Sequence, residues 1–217
     1  MPPPPPPFAP AGSQRWLQVA VNRVPELLDH ALRAAGAIEP DETLGWRSPL
    51  EAANFTEYQD AAAFRAVGID TFPIRPLADF WLRRGPVWDG LAITRRGAII
   101  LLEAKAHIAE VLSPPSRAGG KSRARIIAAL DEARQFYAPG STTPWFAHFY
   151  QYCNRLAHLY FVAHVNRLPA RLVFLDIVNA AEMNGPTSPE AWKNTTRLIH
   201  SQLGLPESLE QFGVYHA

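Results

Sequence analysis

The sequence predicts an α/β fold, a small mixed β-sheet flanked by helices. Three observations carry this expectation. Residues 86–107 read as a β-hairpin whose second strand is buried. Residues 171–178, Arg-Leu-Val-Phe-Leu-Asp-Ile-Val, read as another buried strand, reached through helical segments and so expected to pair in parallel. Segments with apolar residues recurring every three or four positions precede, separate and follow these strands. A length of 217 residues suits one well-buried domain, read over 13–217. Residues 1–12, with six consecutive prolines, are expected to form a disordered, extended tail.

Taken in order, Ser13 to about Ala35 has a helical pattern through Trp16, Val19, Val24, Leu28 and Leu32, kinked or divided at Pro25 and stopped at Gly36. Residues 40–45 read as a loop. Ser48-Pro49-Leu50-Glu51 has the form of a capping box, which predicts a second helix continuing to Val67 with a break near Asn54. Glu51 is then a capping residue. Glu57 falls on the face of Ala61 and Phe64 and points to the apolar side, or else is a surface glutamate favoured by the helix dipole. Residues 79–84 read as a first strand leading into the hairpin. After the hairpin, residues 113–125 read as a loop. Its Arg117, Lys121, Arg123 and Arg125 suit a phosphate clamp, or simply a solvated basic loop. Helices follow over Ile126–Tyr137 and about 144–165. The second carries a polar stripe of His148, Gln151, Arg155 and His158 that faces either solvent or a site. A last helix opens at Ser188-Pro189-Glu190 and closes at Gly204.

The hairpin holds the chemistry. One strand runs from about Val87 to Thr94, the turn is Arg95-Arg96-Gly97, and the second strand runs from Ala98 to His107. Its apolar run ends in Glu103 and Lys105. Side chains alternate along a strand, so Glu103, Lys105 and His107 share one face and Ala104 and Ala106 take the other. Asp89 lies on the neighbouring strand. Two carboxylates and an ammonium at the end of an apolar sheet are costly to bury unpaired. Two carboxylates close together bind a hard cation such as Mg2+ through oxygen. Such a cation polarises a phosphodiester oxygen and acidifies a bound water, and a lysine beside it can position that water.

The arrangement Asp89-(13 residues)-Glu103-Ala104-Lys105 on adjacent strands resembles the PD-(D/E)XK nuclease superfamily. Trp88 stands where proline precedes the aspartate in that motif. The segment Tyr150-Gln-Tyr-Cys-Asn-Arg-Leu-Ala-His158 is similar to one in an uncharacterised bacterial branch of the superfamily. The resemblance covers roughly residues 48–180. It implies a restriction-endonuclease-like core with added N- and C-terminal helices. It also implies Mg2+, with Mn2+ as a substitute, held by Asp89, Glu103 and the Ala104 carbonyl. Lys105 would orient or activate the attacking water, and Glu57 would bind a second cation or a metal-bound water. Gln151 and Arg155 would contact nucleic acid, DNA before RNA, with Lys121 and Arg123 as basic contacts. His107 would touch a phosphate, or cap and pack at the strand end. The function implied is a Mg2+-dependent nuclease hydrolysing phosphodiester bonds. Two alternatives stay open: a catalytically inactive nucleic-acid-binding module on the same fold, and a structural domain in which Glu103 and Lys105 form an ion pair and Asp89 caps a turn.

The formal net charge of +1 excludes a dedicated nucleic-acid coat protein, so any such contact comes from local patches. One cysteine, Cys153, excludes a disulfide framework and fits a buried thiol in a reducing cytosol. No apolar run approaches a membrane span and the proline-rich start is unlike a secretory signal, so a cytoplasmic protein without a membrane partner is expected. Neither a GxxxxGK loop nor a Gly-x-Ser-x-Gly elbow is present.

Overall fold

Two short helices lead into the sheet, and a proline sets their boundary. In the computed structural model, which describes residues 6–114, 116 and 118–217, α1 spans Gly12–Arg23 and α2 spans Pro25–Ala34. Pro25 stands at the first position of α2, where its missing N–H has no helical partner to lose. Of the expected tail over 1–12, residues 1–5 lie outside the described residues. Phe8 packs on Phe55 with ring centroids 5.2 Å apart, and the Ala9 amide donates to Gln18 Oε1 at 2.7 Å. The packed domain therefore begins at Phe8 rather than at Ser13.

Among the described residues, five strands form one mixed sheet in the order β1-β4-β5-β6-β7. These are β1 (Leu44–Ser48), β4 (Gly90–Thr94), β5 (Ile99–Lys105), β6 (Ala170–Asp176) and β7 (Val214–His216). The pairs β1–β4 and β4–β5 are antiparallel, while β5–β6 and β6–β7 are parallel. The expected parallel return of residues 171–178 is thus present. A separate ribbon joins β2 (Tyr58–Gln59) to β3 (Val87–Trp88).

Alternation sorts the sheet into two cores. Ile100, Leu102, Ala104, Val173 and Leu175 face Leu17, Val21, Leu28 and Leu32 of α1 and α2. Leu91, Ile99, Leu101, Leu172, Phe174 and Val214 face the other way. That side is covered by α3 (Asp60–Ala66), α4 (Leu77–Phe80), α5 (Gly120–Tyr137), α6 (Tyr150–Leu159) and α7 (Pro189–Leu203). By the same parity Glu103 and Lys105 point toward α6.

Several local expectations are corrected. Residues 44–48 are strand β1 where a loop was expected over 40–45. The capping box does not form, because Ser48 ends β1 opposite Leu91 and its hydroxyl donates to the Thr56 carbonyl at 2.8 Å. Glu51 instead pairs with Arg23 at 2.7 Å, and the helix over 48–67 is reduced to a single 3-10 turn at Glu51–Ala53 and α3. Residues 79–84 are not a strand. Pro76 caps the short α4, and Phe80 and Trp81 are both buried by packing on the helical layer. The basic residues assigned to a loop over 113–125 include Lys121, Arg123 and Arg125, which ride on the first turns of α5; Arg117 lies outside the described residues. The helix read over 144–165 begins only at Tyr150 and ends in a π turn at Tyr160–Val165.

Gly90 is where β4 approaches its neighbours most closely. A Cβ there would lie 3.1 Å from the Trp46 ring and 3.3 Å from Leu102 Cβ. Gly90→Ala is therefore expected to cost about 1–3 kcal/mol by overpacking. A chemical-denaturation midpoint equal to the parent's would contradict that packing.

Candidate functional site

The hairpin strand predicted over 87–94 is broken at Asp89. β3 leaves the sheet at Trp88, and β4 enters it at Gly90. Gly90 pairs with Leu102 in antiparallel register, so Asp89 sits one step further on, across from Glu103. The bend turns Asp89 back onto the strand end, where its Oδ2 accepts the Ala104 amide at 2.8 Å. A chain leaving a sheet at this point frees an amide, and a carboxylate at that spot caps it.

Glu103 is almost fully buried and is met by two cations. Its Oε1 lies 2.6 Å from Lys105 Nζ. Its Oε2 accepts from Arg155 Nε at 2.7 Å and from the same guanidinium at 2.5 Å. Arg155 also donates to the Val87 carbonyl at 2.9 Å and lies 5.0 Å from the centroid of the Trp88 ring. Burial alone would raise the Glu103 carboxyl; Arg155 and then Lys105 outweigh it, and the group is held below its usual range. Asp89 goes the other way. Burial first, and the charge of Glu103 second, push it up to about 7 against the pull of Arg155 and Lys105. The two carboxylates therefore belong to one electrostatic unit, and it is Asp89 that carries the strain.

Glu57 does not lie on a helix. It stands in the extended segment before β2, half-buried, and accepts Gln14 Nε2 at 3.0 Å. Burial raises its carboxyl despite the Gln14 hydrogen bond, and Glu103 raises it further, so it belongs to the edge of the same unit. Gln151 is exposed at the start of α6 and lines a narrow cleft together with Glu103 and Lys105. Arg155, expected among the nucleic-acid contacts, is buried against Glu103 and Trp88 instead of being offered to a phosphate. His158 of the expected polar stripe is also buried, its Nδ1 2.9 Å from the Asn154 carbonyl, and desolvation pushes it down to about 3. His107 is half-buried after β5, and among the described residues no hydrogen bond ties its ring to Glu103 or Lys105. Lys121 and Arg123 are exposed on α5, with the Arg123 guanidinium 4.7 Å from the centre of the Phe146 ring.

Two contacts of this neighbourhood involve partners that the sequence does not signal. Trp88 supports the Arg155 guanidinium, which the aspartate motif alone does not signal. Asp176, next to Lys105 in the parallel register, meets His216 of β7 at 2.9 Å. β7 is three residues long, too short for alternation to reveal.

Among the described residues, no group of three or more His, Cys, Asp and Glu side chains is arranged to hold a metal ion. The donor set nonetheless suits Mg2+, which binds through one or two carboxylates and keeps its remaining positions for water and phosphate. Asp89 and Glu103 supply two hard oxygen donors, and Asp89 Oδ1 has no hydrogen-bond partner among the described residues. Burial is the main reason the Asp89 carboxyl is raised, with the charge of Glu103 second, and a cation bound there would favour its ionised form. Among the described residues, no helix is long and apolar enough to cross a membrane. No family model, no curated protein and no solved structure matches the chain.

Proposed function

We propose that the chain is a Mg2+-dependent nuclease that hydrolyses phosphodiester bonds, of DNA in the first instance, on a restriction-endonuclease-like core. The observation that carries this reading is the convergence of Asp89, Glu103 and Lys105 at one strand end, on the α6 side of the sheet. The strand order adds support, with three antiparallel strands followed by a parallel strand reached through α5 and α6.

Asp89 and Glu103 would hold Mg2+, with the Ala104 carbonyl beside them and Glu57 at the edge. Bound there, the ion would polarise a phosphoryl oxygen and acidify a water. Lys105 orients the attacking water through Nζ and offsets charge gathering on the phosphoryl oxygens. Arg155 keeps Glu103 ionised and fixes its direction. Gln151 borders the entrance of the cleft and is a hydrogen-bond donor for the substrate backbone.

A cleavage panel tests this: single strands, duplexes and branched substrates of DNA and RNA, with Mg2+, Mn2+ or EDTA. Metal-dependent cutting is expected, and Lys105→Ala should lower it about a hundredfold or more while the protein stays folded. Lys105 suits that test because its side chain is 14% exposed while that of Glu103 is 3% exposed. No cutting under any of these conditions removes the enzyme reading.

One observation favours a second reading. Both oxygens of Glu103 are already paired with cations, which is how a retired metal site is kept neutral. A nucleic-acid-binding module without cleavage would show binding in EDTA, unchanged by Mg2+ and by Lys105→Ala.

A further inference from the structure

Charge is distributed very unevenly along the chain. Residues 111–175 hold eight Lys and Arg and only two acidic residues, while the rest of the chain holds 13 and 18. Both acids of that stretch are already spent: Asp131 lies 3.5 Å from Arg134, and Glu132 pairs with Arg75 at 2.9 Å. A net charge of +1 thus conceals a basic stretch with almost no acid to offset it. Several of its cations are committed. Arg155 is buried on Glu103, Arg171 faces Glu42 at 3.7 Å, and Arg125 donates to the Asp79 carbonyl. Lys121 and Arg123 are exposed at the start of α5 and meet no carboxylate among the described residues.

An aromatic row joins these two cations to the cleft. The Arg123 guanidinium lies over the Phe146 ring, 4.7 Å from its centre. Phe146 meets Tyr150 edge to face, with centroids 6.0 Å apart and planes at 70°. Tyr150 is followed by Gln151, which lines the cleft of Glu103 and Lys105. Burial pushes the Tyr150 phenol up, and the Ser116 hydroxyl and the charge of Arg155 pull against it, so this ring sits within reach of the carboxylate site. Both rings are half-buried and keep part of their surface open to solvent. The joint between them is Phe149, held in the left-handed region at φ 47°. A residue with a side chain pays for that conformation, which is typical of ligand clamps.

We propose that this row is a track for a single nucleic-acid strand, with unpaired bases stacked on Phe146 and Tyr150 and phosphates at Lys121 and Arg123, leading into the Glu103 cleft. The inference rests on the nuclease reading and narrows its substrate to unpaired strands and ends. Charge alone would serve any polyanion; the rings are what select. In a duplex each base is already stacked on its neighbours and shows only its edge in a groove. An unpaired base has a free face, whatever its identity, and stacks on an aromatic ring. The Arg123 guanidinium, laid on Phe146, widens that platform and adds charge to it.

Fluorescence anisotropy in EDTA tests the proposal without any cleavage. The probes are an oligothymidine of about 12 nucleotides, a strand of the same length with every base removed, and a duplex of that length. Oligothymidine is expected to bind at least tenfold more tightly than either of the others. Phe146→Leu keeps an apolar side chain in the packing but removes the flat face. It should weaken oligothymidine about tenfold and leave the abasic strand within about twofold of the parent. The surface variant Lys121→Ala/Arg123→Ala should weaken all three probes. It should also lower the slope of log affinity against log salt for single strands by about 1.4, two phosphates at about 0.7 each. Should Phe146→Leu fail to fold, the abasic strand on the parent protein decides. Equal affinity for the three probes, tighter binding of the duplex, or an unchanged salt slope in the surface variant each overturns the track. So does polyglutamate that displaces oligothymidine as well as unlabelled oligothymidine does, the result expected of a surface for an acidic protein. Selective single-strand binding by protein that cuts nothing keeps the track and loses the nuclease reading. Protein that cuts yet binds the three probes alike loses only the track.

Discussion

Arg155→Met is expected to destabilise the protein by about 3–5 kcal/mol, the cost of leaving a buried charge short of its partner. Glu103 and Arg155 have side chains 3% and 6% exposed, so neither can turn to water when the other is lost. The variant leaves Glu103 with Lys105 alone, strips the Val87 carbonyl of its donor and removes the cation from the Trp88 ring. Lys105→Ala should cost less, because Arg155 still neutralises Glu103. Glu103→Gln combined with Arg155→Met should recover part of the loss, since no unpaired charge then remains. Urea unfolding of the four proteins measures this, provided the slopes match. An Arg155→Met protein within about 1 kcal/mol of the parent would mean that water already reaches Glu103. The same argument makes Glu103→Ala a poor probe of chemistry: lost activity in that variant follows equally from lost folding.

The part of the site legible in the sequence is the part carried by one strand. Alternation along β5 gave the shared face of Glu103 and Lys105, and the apolar run before them announced a buried strand. Asp89 was legible as a neighbour, but its bend was not, because leaving the sheet at Trp88 depends on the β2–β3 ribbon, which pairs residues 30 positions apart (Tyr58 and Trp88). Arg155 shows the opposite failure. Its spacing from Gln151 placed both on one helix face, yet Gln151 is exposed and Arg155 is buried. Helical periodicity gives a direction, not a depth, and α6 dips toward the sheet beyond its first turn. Glu57 reached the neighbourhood of Glu103 although the helix that was expected to carry it does not exist there. The local signal of Ser48-Pro49-Leu50-Glu51 was real as chemistry, but pairing of Ser48 with Leu91 took the capping residue into the sheet. The return strand β6, apolar from Leu172 to Leu175, was the easiest element to read and is paired as expected.

Asp89 should make the metal-free protein less stable as the pH rises, and a bound cation should reverse this. Its folded carboxyl lies at about 7 against a usual value near 3.8. Between those values the folded chain holds a proton that the unfolded chain has released. The resulting stability is fully present below about pH 4 and is lost as the pH climbs through 7. At about 1.4 kcal/mol per pH unit, and allowing for the shared burial with Glu103, the loss is on the order of 2–4 kcal/mol. Glu103 is shifted downward, so its own contribution changes below the usual carboxylate range and does not mask this window. Asp89→Asn keeps an oxygen for the Ala104 amide but cannot ionise, so the parent should lose stability relative to this variant as the pH rises from 5 to 8, while His158 and His200, shifted downward, act alike in both proteins. Mg2+ requires the carboxylate, so binding expels the proton. Millimolar Mg2+ should therefore raise the parent's melting temperature strongly at pH 8, weakly at pH 6, and not at all in Asp89→Asn. Cleavage should lose its rate along the same limb, falling tenfold per unit below about pH 7. Melting curves at five pH values, with and without Mg2+, separate the readings. A pH slope that Asp89→Asn removes, with no response to Mg2+, leaves a strained carboxylate serving only to cap Ala104 and points to the binding module. A slope together with a cation response that Asp89→Asn abolishes is what a working metal site requires.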